Sequence, residues 1–336
     1  QLVAAPLPLP VAREEDSRLR FPGKIKELGH APGLATGAWA VADSGHNQIV
    51  VFDDLGSELA RFGRPEPGFD DGDSPSFNSP QGLICGEGMI YVADTGNHAL
   101  RRLDSASGLV STLAGNGLRG SPLPPKRPGP ATALASPWDL ELAGDDLYFA
   151  NAGSHQLGRL DLGDGSVSLL AGSGAEGIVD GAALSSELAQ PSALAMAPGQ
   201  GLLYFADSET SSVRRLDLGG LAKVTTLVGS GLFDFGHGEG PFEKASLQHP
   251  LGLAWMDGHL AVADSYNGRL CLMDLHNRRL SELGSLLTCM DPVCLPPCEP
   301  AGVAAGADGR LLLADTNNHR ILEYRPSQGS YRTWAC

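Results

Sequence analysis

The chain has 336 residues, 42% of them apolar, with 44 glycines and 24 prolines, a globular, turn-rich composition that excludes disorder. Its formal charge is −15, from 39 acidic against 24 basic residues, which opposes phosphate-backbone binding because that needs clustered Lys and Arg. No apolar run approaches the roughly 20 residues that cross a bilayer, so neither a nucleic acid nor a membrane is expected as a partner.

Residues 1–20 open on Gln1-Leu2-Val3-Ala4-Ala5-Pro6, without Met, basic flank or apolar core. They read as a leader or linker, and the chain as a fragment or processed form. From residue 21 a repeat sets in. The first copy, about 21–63, starts at Pro22-Gly23-Lys24-Ile25 and reaches Val41-Ala42-Asp43-Ser44-Gly45-His46-Asn47. The second, 80–115, has Pro80-Gln81-Gly82-Leu83, Val92-Ala93-Asp94-Thr95-Gly96-Asn97-His98 and a closing Leu113-Ala114-Gly115. The third, 137–172, has Pro137-Trp138-Asp139-Leu140, Phe149-Ala150-Asn151-Ala152-Gly153-Ser154-His155 and Leu170-Ala171-Gly172. The fourth, 191–229, has Pro191-Ser192-Ala193-Leu194, Phe205-Ala206-Asp207-Ser208 and Leu227-Val228-Gly229. The fifth, 250–284, and sixth, 300–334, carry Pro250-Leu251-Gly252-Leu253 with Val262-Ala263-Asp264-Ser265-Tyr266-Asn267-Gly268, and Pro300-Ala301-Gly302-Val303 with Leu313-Ala314-Asp315-Thr316-Asn317-Asn318-His319. The six anchors at 43, 94, 151, 207, 264 and 315 recur every 51 to 57 residues.

Each copy reads as four short strands, in the second about 82–86, 89–93, 98–103 and 109–113, joined by turn chemistry such as Gly86-Glu87-Gly88. Six four-stranded antiparallel units make an all-β, six-bladed β-propeller, because ring packing covers both faces of every blade. Ser330–Trp334 supplies the sixth copy with its own fourth strand, so the ring closes without a borrowed one, unless the leader adds to an edge. The hydrophobic residue three after each Pro, and Phe77, Leu134, Leu188 and Leu247 three before, are expected in the core.

The anchor Asp is expected to accept a backbone N–H two residues on and pin its turn, a role Asn151 fills without charge. The turn residues His46, Asn47, Asn97, His98, His155, Asn267, Asn318 and His319 share one face and, with Trp138 and Asp139 near the axis, are the binding-face candidates. As zinc ligands they are poorly placed, since equivalent turns of different blades do not converge. The long loops between repeats lie on that same face, and loops on rigid scaffolds carry function. Their carboxylates (Asp70, Asp71, Asp73, Asp180, Asp234, Glu239, Glu243) leave calcium open, although the D-x-D-x-D-G spacing is absent. No catalytic motif, metal set or cofactor-binding motif stands out. Cys289, Cys294, Cys298 and Cys336 could form a disulfide in an oxidising compartment, whereas Cys85 and Cys271 read as buried thiols. The compartment stays open between cytoplasm and an oxidising lumen or periplasm, and a soluble monomer is expected.

Ala93-Asp94-Thr95-Gly96-Asn97-His98-Ala99-Leu100-Arg101 and Ala314-Asp315-Thr316-Asn317-Asn318-His319-Arg320-Ile321 resemble the NHL repeat. With Phe77-Asn78-Ser79-Pro80-Gln81-Gly82 and Leu247-Gln248-His249-Pro250-Leu251-Gly252, about 21–325 is similar to the propeller of thioredoxin-like NHL-repeat-containing proteins, of the NHL-repeat-containing protein 2 and plant suppressor-of-quenching type. The resemblance implies a parent oxidoreductase whose redox cysteines belong to a preceding thioredoxin-like domain, so no catalytic residue transfers to this chain. The cysteine-bearing fifth loop departs from the family pattern. The reading is a non-catalytic scaffold that docks a protein partner or a thioredoxin-like domain through its long-loop face. The alternative is a calcium- or zinc-dependent hydrolase or lyase acting at the axial tunnel.

Overall fold

The computed structural model describes residues 18–29, 37–120, 122–284 and 295–336. Six antiparallel sheets follow in sequence. Blade 1 is Pro22–Gly29, Ala38–Asp43, Gln48–Phe52 and Glu58–Phe62; blade 2 is Gly82–Gly86, Met89–Asp94, Ala99–Asp104 and Val110–Ala114; blade 3 is Pro137–Ala143, Asp146–Asn151, Gln156–Asp161 and Ser166–Ala171. Blade 4 is Pro191–Ala197, Leu202–Asp207, Ser212–Asp217 and Lys223–Val228; blade 5 is Pro250–Met256, His259–Asp264, Arg269–Asp274 and Arg279–Glu282; blade 6 is Gly302–Ala305, Leu311–Asp315, Arg320–Arg325 and Ser330–Ala335. The first strands of successive blades, and of blades 6 and 1, pack against one another around the axis.

The second strands show why the pattern folds this way. In Ala38–Asp43 all six residues are buried, because a blade is covered by a neighbour on each side and needs apolar groups on both faces. Trp39 and Val41 pack against Leu312 and Trp334 of blade 6, while Ala40 and Ala42 pack with Leu83 and Val92 of blade 2. Six such apolar clusters fill the six seams. Ile25, Leu83, Leu140, Leu194, Leu253 and Val303, and the loop anchors Phe77, Leu134, Leu188 and Leu247, are all core, as the motif spacing indicated. Leu19 joins them in the seam between blades 6 and 1, just upstream of the expected propeller start.

Two features go beyond the four-strand reading. Blades 3, 4 and 5 gain a fifth strand of two residues, Arg127–Pro128, Gly181–Ala182 and Gly240–Pro241, which the preceding loop lays on the blade's outer edge. This occupies edge N–H and C=O groups that would otherwise template pairing. Among the described residues the ring closes with no borrowed strand: blade 6 ends on its own Ser330–Ala335. Its Trp334 donates Nε1–H to the Asp54 carbonyl of blade 1 at 3.2 Å, and the Arg310 guanidinium pairs with the Asp54 carboxylate.

Candidate functional site: the long-loop face and the axis

Between second and third strands each blade makes one 3-10 turn followed by a left-handed residue. The anchor Asp or Asn precedes the turn but makes no side-chain bond to its backbone, so the expected turn cap is corrected. Instead its Oδ1 accepts the N–H of the residue two before the strand-opening proline. The donors are Arg20 (2.7 Å to Asp43), Asn78 (2.8 Å to Asp94), Ala135 (2.9 Å to Asn151), Ala189 (2.7 Å to Asp207), Gln248 (2.6 Å to Asp264) and Cys298 (2.6 Å to Asp315). The side chain thus ties the long loop to the blade. In five blades Oδ2 meets an arginine: Arg61, Arg101, Arg214, Arg269 and Arg320 lie 2.6–2.8 Å from Asp43, Asp94, Asp207, Asp264 and Asp315. Blade 3 has the neutral Asn151, whose Nδ2 donates to Ser154 Oγ at 2.7 Å. The sequence reading missed these arginines. In blades 2, 4, 5 and 6 their signal was an Arg five or seven residues after the Asp, in the third strand; Arg61 comes instead from the fourth strand of blade 1, 18 residues on.

In every blade but the fifth, where it is Gly268, the left-handed residue makes a second tie, this time between blades. Its side chain accepts the N–H of the residue just before the next blade's proline: Ser79 to Asn47 (2.9 Å), Ser136 to His98 (3.1 Å), Gln190 to His155 (3.2 Å), His249 to Ser211 (3.2 Å) and Phe21 to His319 (3.1 Å). The last crosses the closing seam. An accepting Nδ1 must be unprotonated, and burial, helped by Arg119, holds His98 below the ordinary histidine range. The donors Phe21, Ser79, Ser136, Gln190 and His249, with Glu299, all have φ between +47° and +59°. A non-glycine residue persists there only when its surroundings hold it.

On the axis, Lys24 of blade 1 donates to the Leu251 carbonyl and, at 2.9 Å, to the Ala301 carbonyl, and lies 3.7 Å from Asp139. Asp139 Oδ2 also accepts the Leu194 N–H at 2.9 Å. One buried ion pair therefore joins blades 1, 3, 4, 5 and 6. Burial pushes the Lys24 ammonium down to about 8, against the pull of Asp139. Beyond it, Lys26 pairs with Glu141 at 3.8 Å. Asp139 fills the centre, while half-buried Trp138 lines a cavity of about 170 Å³ on the long-loop side.

The sixth copy of this loop-to-blade tie, with Asp315-Thr316-Asn317-Asn318-His319, lies within a match to an NHL repeat family model over residues 298–324. The chain is an NHL-repeat β-propeller. It is 36% identical over 95% of its length to Protein SUPPRESSOR OF QUENCHING 1, chloroplastic, of Arabidopsis thaliana, and spans 32% of that protein. It is 37% and 36% identical to NHL repeat-containing protein 2 of Bos taurus and Homo sapiens, over 91% of this chain and 46% of each relative. The NHL propeller thus spans less than half the length of the curated relatives it matches. Among solved structures it is similar to a streptogramin B lyase (TM-score 0.56, 15% identity, 94% of this chain and 83% of that one) and to a chain of a nidogen/laminin complex (TM-score 0.58, 13% identity, 87% and 98%). At such identities the likeness is one of fold.

Within this NHL propeller the remaining candidate residues have internal partners. His46 Nδ1 lies 2.8 Å from Asp43. Asn97, Asn267 and Asn318 donate to their own anchor Asp at 2.8–2.9 Å and to the loop carbonyls of Gly68, Gly236 and Pro296. The loop carboxylates Asp71 and Asp180 hold Thr112 and Thr226 of the outer strands together with Arg101 and Arg214. Among the described residues no three His, Cys, Asp or Glu side chains converge as a metal site, and no helix is long and apolar enough to cross a membrane. Cys298 and Cys336 are free and exposed, while Cys289 and Cys294 lie outside the described residues. Cys271 is buried as expected, but Cys85 is only partly so. What the sequence reading did not single out is apolar: Leu118, Phe233, Phe235, Tyr266 and Leu295 stand exposed on the long-loop face, Phe233 at 87%.

Proposed function

We propose that the propeller is a non-catalytic docking platform whose long-loop face receives a protein partner or a thioredoxin-like domain. The observation that carries this is the exposed apolar set Leu118, Phe233, Phe235, Tyr266 and Leu295, presented on loops that the anchor side chains fasten to the blades. An apolar surface held in one conformation binds without an ordering cost. The family resemblance and the greater length of the relatives support a further domain as occupant. The axis offers less room for chemistry, since Lys24 and Asp139 neutralise each other there.

The test adds, in trans, a thioredoxin-like domain of the kind that precedes the propeller in the family it resembles, and follows the complex by sedimentation velocity. Phe233→Glu with Phe235→Glu is expected to abolish it. Leu221→Glu, in the turn between the outer strands of blade 4 on the opposite face, is expected to leave it intact. Equal effects of the two, or no complex with the unaltered chain, would overturn the reading.

A further inference from the structure

The repeat makes departures from itself informative. In blades 1 to 3 the second residue of the 3-10 turn is Gly45, Gly96 or Gly153, but in blades 4 and 5 it is Glu209 and Tyr266. The residue after the proline is Trp138 in blade 3, against Gly23, Gln81, Ser192, Leu251 and Ala301 elsewhere. These odd residues converge. Trp138, Glu209, Tyr266 and His249 line the 170 Å³ cavity beside the axis, over a floor that includes Ser192 and Ser208.

The lining carries a carboxylate, that of Glu209. His249 stacks on Tyr266, with ring centroids 4.4 Å apart and planes at 15°, and directs Nε2 at Glu209 Oε2 from 3.4 Å. Its Nδ1 is buried and has no hydrogen-bond partner among the described residues. Ser192 and Ser208 donate their protons to the carbonyls of Pro250 and Gln190, so they offer the cavity only oxygen lone pairs. Among the described residues no Lys or Arg lines it, and Lys24 is committed to the Leu251 and Ala301 carbonyls and to Asp139. A cavity that offers the Glu209 carboxylate and serine oxygens beside the aromatic rings of Trp138 and Tyr266 suits a cation that is both a hydrogen-bond donor and a cation–π partner.

We propose that this cavity receives one basic side chain, an arginine or lysine, of the segment that docks on the long-loop face. The proposal rests on the platform reading for its macromolecular occupant. A 170 Å³ space suits one such side chain, and the −15 charge of the chain attracts a basic partner.

The experiment titrates the whole chain with acetyl-Gly-Arg-Gly-amide, acetyl-Gly-Gln-Gly-amide and free arginine, reading tryptophan emission. The arginine peptide is expected to give a saturable change, the glutamine peptide none, and free arginine a weaker response. Glu209→Gln, at a partly exposed site whose loss does not threaten the fold, is expected to weaken the arginine peptide about tenfold, the worth of one charge-assisted bond; Tyr266→Ala also weakens it. A saturable response to the glutamine peptide, unchanged affinity in Glu209→Gln, no response to the arginine peptide, or tighter binding of free arginine would each overturn the proposal. Phe233→Glu with Phe235→Glu separates the two readings: it is expected to lose the docked domain while keeping the arginine peptide.

Discussion

Asp94 and Asn151 hold the same position in adjacent blades yet differ in charge, and their surroundings supply the reason. Asp94 faces Arg101 at 2.6 Å with both side chains fully buried. Burial pushes its carboxyl up to about 6, against the pull of Arg101, Asn97 and the Asn78 N–H. A raised carboxyl often marks a catalytic acid, but here every interaction is internal and solvent has no access. In blade 3 the Arg101 position is Gly158, where any side chain would overlap the Phe149 ring, and the position of Arg269 and Arg320 is Gln156, so neither third-strand position supplies an arginine and the anchor is neutral. Asn151→Asp is therefore expected to destabilise the protein by about 3 kcal/mol at pH 7, the cost of an uncompensated buried charge. With its folded pKa above the unfolded value of about 3.9, the new carboxyl is neutral in both states at lower pH, so the penalty vanishes on acidification and grows as pH rises through the folded pKa. Urea unfolding at neutral and acidic pH checks this; an equal penalty at both would show that shape and not charge is at fault.

At the scale of the element, the first strands decide how closely the ring can close. Gly82 sits where an added Cβ would lie 2.5 Å from the Trp138 carbonyl and 2.6 Å from the Asp139 Cα. Both are backbone atoms of the next blade, which cannot yield without moving a strand. Gly82→Ala is expected to cost about 2 kcal/mol by overpacking, seen as a lowered midpoint in thermal unfolding; an unchanged midpoint would mean the inner strands have slack. The second strands were the most legible in the sequence because each is largely apolar and closes on Ala-Asp or Ala-Asn. The two-residue edge strands were not legible, since Arg127–Pro128, Gly181–Ala182 and Gly240–Pro241 are too short to show a period and exist only by pairing with a strand some 40 residues on.

For the whole molecule, the Lys24–Asp139 pair joins blades that are distant in sequence. Lys24→Met leaves the Asp139 carboxylate buried without its cation and is expected to cost about 3 kcal/mol; adding Asp139→Asn should recover much of it, because the neutral amide keeps an acceptor for the Leu194 N–H. Lys24 also sets a pH dependence. Its folded pKa is held down at about 8, below the unfolded value of about 10.4. Between the two the unfolded state binds more protons, so the unaltered protein gains stability as pH rises from about 8, relative to Lys24→Met. Parallel slopes for the two proteins over that range, in denaturant titrations, would sink this assignment.

The sequence by itself determined the blade count, the strand order and the core, because these follow from a repeated local pattern: Pro to open, an apolar run, Ala-Asp, a polar turn. It also placed the long loops and the anchor turns on one face, which is a consequence of up-and-down connectivity. Only the tertiary structure decided what the polar residues do. The anchor Asp reaches a loop residue 16 to 23 positions earlier, His98 and His319 reach the next blade, and Lys24 meets Asp139 across the axis. Such partners are set by the curvature of the ring, and no period along the chain encodes them. The same holds for the cavity of Trp138, Glu209, His249 and Tyr266, whose members come from three blades and meet only because the ring closes.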